Sequence, residues 1–454
     1  MKKNLAGLFV AAAMVVSLCA CGSGGSGSTT ADKTSEAAAG AATEAAAGAA
    51  TEAAAGAAAG GGDSVTLTYV TWNENQRGQI QDTIDGFQKL YPNIKVDLQI
   101  TPWGEYWTKL EAAATSGNMA DIVTMHTNVV AKYVNGGKLA QLDDLTQYDD
   151  TFSYDNYPEG VTKLYTFGDA HYGVPKDKDC VVLVYNKELF DKAGVEYPNA
   201  DWSWNDVEEA AKKLTDKENG VYGFAAYNHD QEGWGNFLYE NGGSIIDETT
   251  HQSGLDKPES IEAMEWYMNM NANYSPSNEM MAEVNYIELF ATGTVAMQTF
   301  GNWELSYFTE NELVKDKFAI TELPAGPTGI KATQMNGLAL SVPSDCRNME
   351  AAKKFVAYAG SKQGMLDSIN GPAIPAFTGV EADWAKAHED LYDTGAILKS
   401  MDYGVQFVGT ESKTKWSEVM NTYVAKIFNG EASVEEAFTQ AAKEINEILA
   451  TEKK

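Results

Sequence analysis

Val65-Thr-Leu-Thr-Tyr-Val-Thr-Trp72 is an apolar run, rich in the β-branched and aromatic residues that favour a strand. A helix is predicted directly after it, because apolar residues recur there at helical spacing until Pro92. The stripe consists of Ile80, Ile84, Phe87 and Tyr91. The segment Ile94–Ile100 then alternates apolar and polar residues, which predicts a second strand. This opening therefore predicts a strand–helix–strand unit.

The same alternation continues along the chain. A helix is predicted around Trp107–Thr115 and a short strand over Asp121–Met125. Repeated strand–helix alternation predicts an α/β fold with a mainly parallel sheet. Ligands bind beyond the carboxyl ends of such strands, which here carry Trp72–Glu74 and Met125–Asn128.

Later segments add further predicted elements. A hairpin turns at Gly168-Asp169, and a strand covers Cys180–Tyr185. Ser203 and Asp206 have the spacing of a capping box at a helix start. Residues 295–300 read as a strand, and Gly301-Asn302-Trp303-Glu304 opens another helix.

The N-terminus resembles a bacterial lipoprotein signal. Lys2 and Lys3 precede an apolar run, Leu5–Leu18, which is too short for a confident membrane span. Leu18-Cys19-Ala20-Cys21 resembles a lipobox, so we predict a signal peptide over 1–20 and lipidation of Cys21. A diacyl group plus a third chain gives stable membrane anchoring. The alternative is an ordinary signal peptide cut near Ala20.

A low-complexity tether follows the predicted anchor. Of residues 22–63, all but six are Ala, Gly, Ser or Thr, and none is Val, Ile, Leu or Phe. Such a stretch has no apolar surface to repay its ordering entropy. We therefore predict that 21–63 comprises the lipidated cysteine and a flexible tether, and that the globular part begins at Ser64.

Composition excludes several classes of function. The 454 residues carry a formal charge of −31, or about −33 without the two lysines of the predicted signal peptide. This acidity argues against a nucleic-acid partner, because phosphate binding needs basic patches. The four cysteines exclude a disulfide scaffold, and whether Cys180 and Cys346 pair stays open. The five histidines have no metal-ligand spacing, so neither metal nor cofactor is predicted.

No catalytic motif is present in the sequence. There is no G-x-S-x-G, no H-E-x-x-H and no P-loop. Paired carboxylates for glycoside hydrolysis remain an alternative, although none of the 64 acidic residues is singled out. The sequence therefore favours a binding protein over an enzyme.

The aromatic composition is typical of sugar sites. The chain has 10 Trp and 22 Tyr against 16 Phe. Indole and phenol rings present flat apolar faces with a polar handle, which suits the C–H face of a pyranose ring. Four tryptophans are candidates, with core packing as the alternative for each: Trp72, Trp103 in a loop after Pro102, Trp234 and Trp303. Trp107, Trp266 and Trp416 are predicted as core, whereas Trp384 is left open.

Three further side chains could contact a ligand. Asp177 and Asp179 lie between the hairpin and the next strand, where a cleft carboxylate would accept hydroxyl hydrogen bonds. Solvated loop charge is the alternative. His126 ends a predicted strand and is either a plain polar residue or a ligand contact.

At this point the chain resembles a known family, the extracellular solute-binding proteins of carbohydrate ABC importers. The resemblance covers about residues 64–454 and rests on segments that occur in the expected order. They are Tyr172–Pro175, Val184–Val195, Trp204 with Ala210–Thr215, Phe290–Gln298, Asn302-Trp303, Leu323–Pro327, Asn336–Pro343 and Ala351–Val356.

The resemblance implies a type II periplasmic-binding-protein-like fold, in which two α/β lobes close on a ligand cleft about a hinge. The three crossings between lobes would fall near Lys178–Asp179, Asn336–Leu340 and Gly371–Pro375. The implied N-terminal lobe is 64–178 plus 340–371, and the C-terminal lobe is 179–339 plus 372–454.

Family ligand contacts come from the loops at strand ends, the first crossing and the turns of the second lobe. Carried over to this chain, and with Trp103 added from the aromatic pattern, the predicted set is Trp72, Asn73, Glu74, Trp103, His126, Asn128, Asp179, Asn228, Gln231, Trp234, Asn302, Trp303, Asn336 and Gly337.

The resemblance implies a monomeric, lipid-anchored receptor on the outer face of the bacterial cytoplasmic membrane. It would capture a sugar or oligosaccharide and deliver it to ABC permease subunits, without chemistry or cofactor. The alternatives are a surface-anchored glycan-active enzyme, the same fold binding a peptide, polyamine or metal, and a sensory receptor.

Overall fold

The computed structural model describes residues 64–452. The predicted signal peptide, Cys21 and the tether lie outside the described residues. Within 64–452, no helix combines the length and apolarity that a membrane crossing requires.

The described chain contains sixteen strands, several of them two-residue pairings. They are β1 Val65–Thr71, β2 Ile94–Ile100, β3 Ile122–Met125, β4 Thr166–Phe167, β5 Ala170–His171, β6 Val174–Pro175, β7 Asp177–Lys178, β8 Val181–Asn186, β9 Ile246–Asp247, β10 Gln252–Ser253, β11 Met297–Gly301, β12 Phe318–Thr321, β13 Thr333–Met335, β14 Ala339–Ser341, β15 Ile374–Pro375 and β16 Gly404–Gln406.

Seventeen α-helices lie in the same part of the chain. They are α1 Arg77–Leu90, α2 Trp103–Ser116, α3 Val130–Asn135, α4 Glu159–Lys163, α5 Lys187–Ala193, α6 Trp204–Leu214, α7 Gly235–Glu240, α8 Pro258–Tyr274, α9 Asn278–Glu283, α10 Tyr286–Ala291, α11 Leu305–Glu310, α12 Met349–Gly360, α13 Lys362–Asp367, α14 Glu381–His388, α15 Thr394–Met401, α16 Lys413–Phe428 and α17 Val434–Leu449.

The first sheet has five strands in the order β2-β1-β3-β14-β6. β1 pairs in parallel with β2 and β3, so the predicted parallel arrangement holds for the opening unit. β14 pairs antiparallel with both β3 and β6. The sheet is therefore mixed, because β14 runs against the three strands that open the chain.

The second sheet corrects the prediction of mainly parallel pairing. Its order is β11-β8-β12, and both pairings are antiparallel. All six residues of the central strand, β8, are buried. Such a continuous apolar run shows burial on both faces but does not reveal strand direction. Direction is set by the paths of the connections, which sequence periodicity does not record.

The three segments predicted to cross between lobes lie beside one another. β7 pairs with β15, and Asp179 forms an isolated bridge with Asn336. The core around the first sheet includes Leu67, Phe87 and Phe355, together with Ala376 and Val380 from beyond the third segment. The lobe boundaries themselves stay predictions.

Two further cores surround the second sheet. One contains Trp416 as predicted, and Trp266 packs against it partly buried. The other contains Trp384, which sequence left open and which is fully buried. Cys180 and Cys346 are both unpaired, with Cys180 buried and Cys346 half-buried.

Local signals are confirmed at one helix start and at one hairpin. Ser203 and Asp206 form the predicted capping box at α6. Gly168 has a φ of 62° at the tip of the β4–β5 hairpin, a left-handed conformation that glycine adopts without a Cβ clash. Trp103 differs from its predicted loop position, since it is the first residue of α2 directly after Pro102. Proline favours such a helix entry.

Candidate functional site

A cavity of about 700 Å³ lies where the ends of β1 and β3 face segments that flank the second sheet. This volume is within the usual range for small-molecule sites. Its lining is Trp72, Asn73, Asn75, Gln76, Trp103, His126, Asn128, Asp177, Lys178, Asp179, His229, Asp230, Gln231, Glu232, Asn285, Tyr286, Ile287, Asn302, Trp303, Glu304, Leu338, Ala373 and Phe407.

One side of the cavity is an aromatic wall, which we define as Trp72, Trp103 and His126. Tyr106 and Trp107 do not line the cavity but pack against Trp72. The ring centroid of Trp72 lies 5.0 Å from that of Trp103, 5.1 Å from that of Tyr106 and 5.2 Å from that of Trp107. These edge and tilted contacts fix the ring orientations. Trp103 nevertheless stays 46% exposed, so it offers an open indole surface.

His126 is the buried polar member of the aromatic wall. Burial, with a smaller contribution from the charge of Lys413, lowers the pKa of His126 to about 3. The ring is therefore neutral at physiological pH. Its Nδ1 accepts a hydrogen bond from the backbone N–H of Asn128 at 3.1 Å, and its Nε2 lies 3.1 Å from Asn336 Nδ2. The side-chain oxygen of Asn128 is buried without a hydrogen-bond partner among the described residues.

The other side is a carboxylate wall, which we define as Asp179, Asp230, Glu232 and Glu304. Asp179 Oδ1 accepts hydrogen bonds at 3.1 Å from both Gln231 Nε2 and the backbone N–H of Asn336. Burial, and next the charge of Asp177, raise the pKa of Asp179 well above its ordinary value. Asp179 therefore belongs to a buried network at the edge of the cavity.

Glu232 is held rigidly by neutral donors. Its Oε1 accepts the backbone N–H of Gly301 at 2.7 Å, and its Oε2 accepts the hydroxyl of Tyr286 at 2.8 Å. Tyr286 stacks on Tyr227, with ring centroids 4.6 Å apart. Only 1% of Glu232 is exposed, so its orientation is set by packing as well as by hydrogen bonds.

Glu304 is the second glutamate of the carboxylate wall, one residue after Trp303. Burial, and next the nearby charge of Glu232, raise the pKa of Glu304 to about 8. An acid in this position holds its proton at neutral pH unless a positive charge arrives. Glu304 can therefore donate a hydrogen bond to a neutral ligand or become ionised beside a cationic one.

The remaining charges of the cavity are largely paired. Asp177 lies 2.6 Å from Lys176 Nζ and also accepts the backbone N–H of Leu338 at 2.8 Å. Lys178 Nζ lies 3.6 Å from Glu381, and burial lowers the pKa of Lys178. These pairs leave the carboxyl groups of the carboxylate wall without a lysine or arginine partner.

A buried lysine stands behind the cavity-lining Phe407. Lys413 Nζ lies 3.5 Å from the Phe407 ring centroid and donates to the backbone oxygen of Val408 at 2.6 Å. Burial lowers the pKa of Lys413 to about 7. Beside it, Thr414 donates to the backbone oxygen of Asn128 at 3.3 Å, which links α16 to the end of β3.

The structure brings nine of the fourteen predicted residues to this cavity. They are Trp72, Asn73, Trp103, His126, Asn128, Asp179, Gln231, Asn302 and Trp303. The strand-end positions meet because the carboxyl ends of β1 and β3 lie at one edge of their sheet.

The other five predicted residues do not line the cavity. Glu74 is exposed and pairs with Arg77, and Asn228 is exposed. Trp234 corrects a prediction, since it is 1% exposed and packs inside the core of α7, α8 and α17. Asn336 is buried and hydrogen-bonds to His126 and Thr127, so it positions a lining residue without lining the cavity itself. Gly337 packs against the backbone of Asp177, where a Cβ would lie 2.5 Å from the carbonyl oxygen.

Sequence reasoning missed Glu232, Glu304, Tyr286 and Phe407 as lining residues. Glu232 directly follows the predicted residue Gln231, and Glu304 directly follows the predicted residue Trp303. Their closeness in sequence to predicted site residues was a signal that could have identified them. Tyr286 and Phe407 have no local signal, because only the packing of α10 and of the loop before α16 places them.

Metal binding has no structural candidate within residues 64–452. No grouping there of three or more His, Cys, Asp or Glu side chains could hold an ion.

Comparisons with known proteins agree with this geometry. Residues 41–366 match the family of bacterial extracellular solute-binding proteins. A putative binding protein of Brucella abortus is 23% identical over 85% of this chain and 93% of its own length. The arabinooligosaccharide-binding protein of Halalkalibacterium halodurans is 26% identical over 62% of this chain and 63% of its own.

A solved structure is similar over most of the described chain. It is the ABC substrate-binding protein Lmo0181 from Listeria monocytogenes in complex with cycloalternan. It is 27% identical, aligns with 86% of this chain and 100% of its own, and gives a TM-score of 0.78. This likeness confirms the predicted α/β fold of the type II periplasmic-binding-protein class.

Proposed function

This chain belongs to the bacterial extracellular solute-binding protein family, and we propose that it captures a sugar or oligosaccharide for an ABC importer. One observation carries the sugar assignment. The cavity sets an exposed indole wall against carboxylate and amide groups. A sugar ring has an apolar face for the indoles and hydroxyl groups for the acceptors.

Known proteins support the same ligand class. The arabinooligosaccharide-binding relative and the cycloalternan complex are both named for carbohydrate ligands. The cavity volume of about 700 Å³ falls within the range for bound small molecules. An oligosaccharide of a few units is the ligand that these features support best.

The direct test is titration calorimetry of the purified chain with a panel of mono- and oligosaccharides. Saturable binding of at least one sugar is expected, with a negative heat-capacity change from burial of the indole faces. Binding of peptides or polyamines, together with silence across the sugar panel, would overturn the assignment.

The receptor carries out no chemistry in this proposal. Glu232 and Glu304 both line the cavity, and glycosidases use two carboxyl groups, so hydrolysis is the alternative to measure. Any sugar that binds should be recovered intact after prolonged incubation with the chain. Cleavage products that disappear in a Glu304→Gln variant would instead establish an enzyme.

Lipid anchoring, a monomeric state and delivery to permease subunits complete the proposal. The lipobox-like tetrad at Cys21 supports an anchor on the outer face of the membrane. In cells, Cys21→Ala is expected to move the protein from the membrane fraction to the medium. Membrane retention of that variant would contradict the anchor.

A further inference from the structure

The cavity carries an imbalance of charge. Five carboxyl groups line it, and Lys178 is the single lysine or arginine in the lining. The carboxyl groups are those of Asp177, Asp179, Asp230, Glu232 and Glu304. Asp177 is already paired with Lys176 at 2.6 Å, and Lys178 is paired with Glu381. The carboxyl groups that have no lysine or arginine partner therefore lie on the carboxylate wall.

No lysine or arginine side chain pairs with Glu232 or Glu304 within residues 64–452. Glu232 receives neutral donors, and His229 Nε2 lies 3.8 Å from its Oε2. Asp230 adds a further negative charge, and the nearby Lys413 donates to a backbone carbonyl behind Phe407.

We propose that the ligand carries a protonated amine, as an amino sugar does, which lies between Glu232 and Glu304. This inference rests on the proposed sugar-binding function and narrows its substrate class. An ammonium group offers three donors and no acceptor, so it matches a wall made of carboxylate oxygens. A hydroxyl group must also find donors, which the carboxylate wall supplies only where an acid such as Glu304 is protonated.

Enclosure of the ligand strengthens the electrostatic argument. A ligand that fills the cavity removes water from the two glutamates, and like charges in a desolvated site repel. A bound ammonium group allows Glu304 to ionise beside Glu232, whereas with a neutral ligand Glu304 keeps its proton. The raised pKa of Glu304 is the same effect seen without a ligand, since the acid keeps its proton when no cation is nearby.

Asn128 also lines the cavity, and its amide oxygen has no hydrogen-bond partner among the described residues. It is an acceptor that a hydroxyl or amine of the same ligand can satisfy. The site thus combines an apolar face, an anionic face and a free acceptor, which together describe a polyhydroxylated amine.

A matched pair of disaccharides tests the proposal by titration calorimetry at neutral pH. Chitobiose carries free amines, and diacetylchitobiose has the same rings with neutral acetamides. We expect chitobiose to bind about tenfold more tightly than diacetylchitobiose. Glu304→Gln should lower the affinity for chitobiose about tenfold more than that for diacetylchitobiose, because glutamine has the shape of the protonated acid without its ability to ionise.

The control variant is Glu262→Gln, which removes an exposed glutamate on α8 outside the cavity and should leave both affinities unchanged. Equal or tighter binding of the acetylated sugar to the unmodified chain overturns the inference while leaving sugar binding intact. Binding of a neutral oligosaccharide together with no binding of chitobiose also overturns the inference. If no sugar binds at all, the proposed function fails and this inference fails with it.

Discussion

The two walls of the cavity hold a ligand by different physical means. The aromatic wall offers indole surface, whose attraction depends on area and changes little with pH or salt. The carboxylate wall offers charge in a partly desolvated site, so its strength depends on protonation and on what the ligand brings. Affinity and selectivity are therefore separable at this site. We expect the aromatic wall to supply most of the affinity and the carboxylate wall to determine which sugars bind.

The largest effect is expected on stability, from Trp234 in the core behind the cavity walls, where it does not contact the ligand. Trp234→Ala should lower the free energy of unfolding by about 3–5 kcal/mol, because it leaves a cavity in a packed core. Urea denaturation monitored by circular dichroism measures this. A stable variant that has lost sugar binding would place Trp234 at the ligand and contradict the structure.

The aromatic wall itself is tested by Trp103→Ala. Trp103 is 46% exposed, so its removal should change stability by under about 1 kcal/mol. Sugar affinity should fall by about 2 kcal/mol, or roughly thirtyfold, because the indole surface is lost. Calorimetry with the best-binding sugar measures the change.

Leu90→Ala is the matched control, since Leu90 is 64% exposed and lies outside the cavity. It should leave affinity unaltered. Equal affinity of Trp103→Ala and the unmodified chain would show that the aromatic wall is not a sugar platform.

Gly301→Ala tests the carboxylate side without changing any charge. A Cβ at position 301 would lie 2.2 Å from carbon atoms of the Trp303 ring, so the indole must move. We expect an affinity loss of about 1–2 kcal/mol, typical of overpacking. The φ of −67° at Gly301 means that backbone strain does not contribute.

Gly78→Ala serves as the control, because no atom lies within 4 Å of its added Cβ. It should bind sugar normally and be slightly more stable, since alanine is the better helix former. If both glycine variants bind equally well, Trp303 does not contact the ligand.

The smallest effect is expected in the pH dependence of stability. The pKa of Glu304 is about 8 in the folded chain against an ordinary 4.5, so the folded state keeps a proton that the unfolded state has lost between these pH values. Stability from this group therefore falls as pH rises from about 4.5 to 8. Glutamine does not titrate, so the Glu304→Gln variant does not lose stability in this way.

The difference in Tm between Glu304→Gln and the unmodified chain measures this linkage. The variant should gain about 1 kcal/mol over that window, a value reduced for partial solvent screening. Comparing the two proteins at each pH cancels the contributions of Asp179 and Lys413, which also titrate abnormally. A pH-independent difference would contradict the buried environment of Glu304.

Much of the fold was predictable because its signals are local. The stripe of α1, the alternation of β2 and the capping box of α6 depend on residues a few positions apart. The antiparallel second sheet was not predictable from β8, since a strand buried on both faces carries no record of its neighbours' direction.

The site residues likewise divide into those that the sequence predicts and those that it misplaces. Trp72 and His126 were found because strand ends of an α/β sheet share one edge, a rule that needs only the order of strands. Trp234 was misplaced because its polar, glycine-containing surroundings suggest a loop. In the structure the chain turns there so that the indole faces the core of α7, α8 and α17.

The sequence by itself determined the α/β class, the family segments, the candidate anchor at Cys21 and the aromatic character of the site. These follow from residue type and short spacing, which folding does not change. Only the tertiary structure decided that Glu232, Glu304 and Tyr286 line one cavity, and that Glu304 holds a proton at neutral pH. Burial and the closeness of charges distant in sequence set that property, and neither quantity exists until the chain has folded.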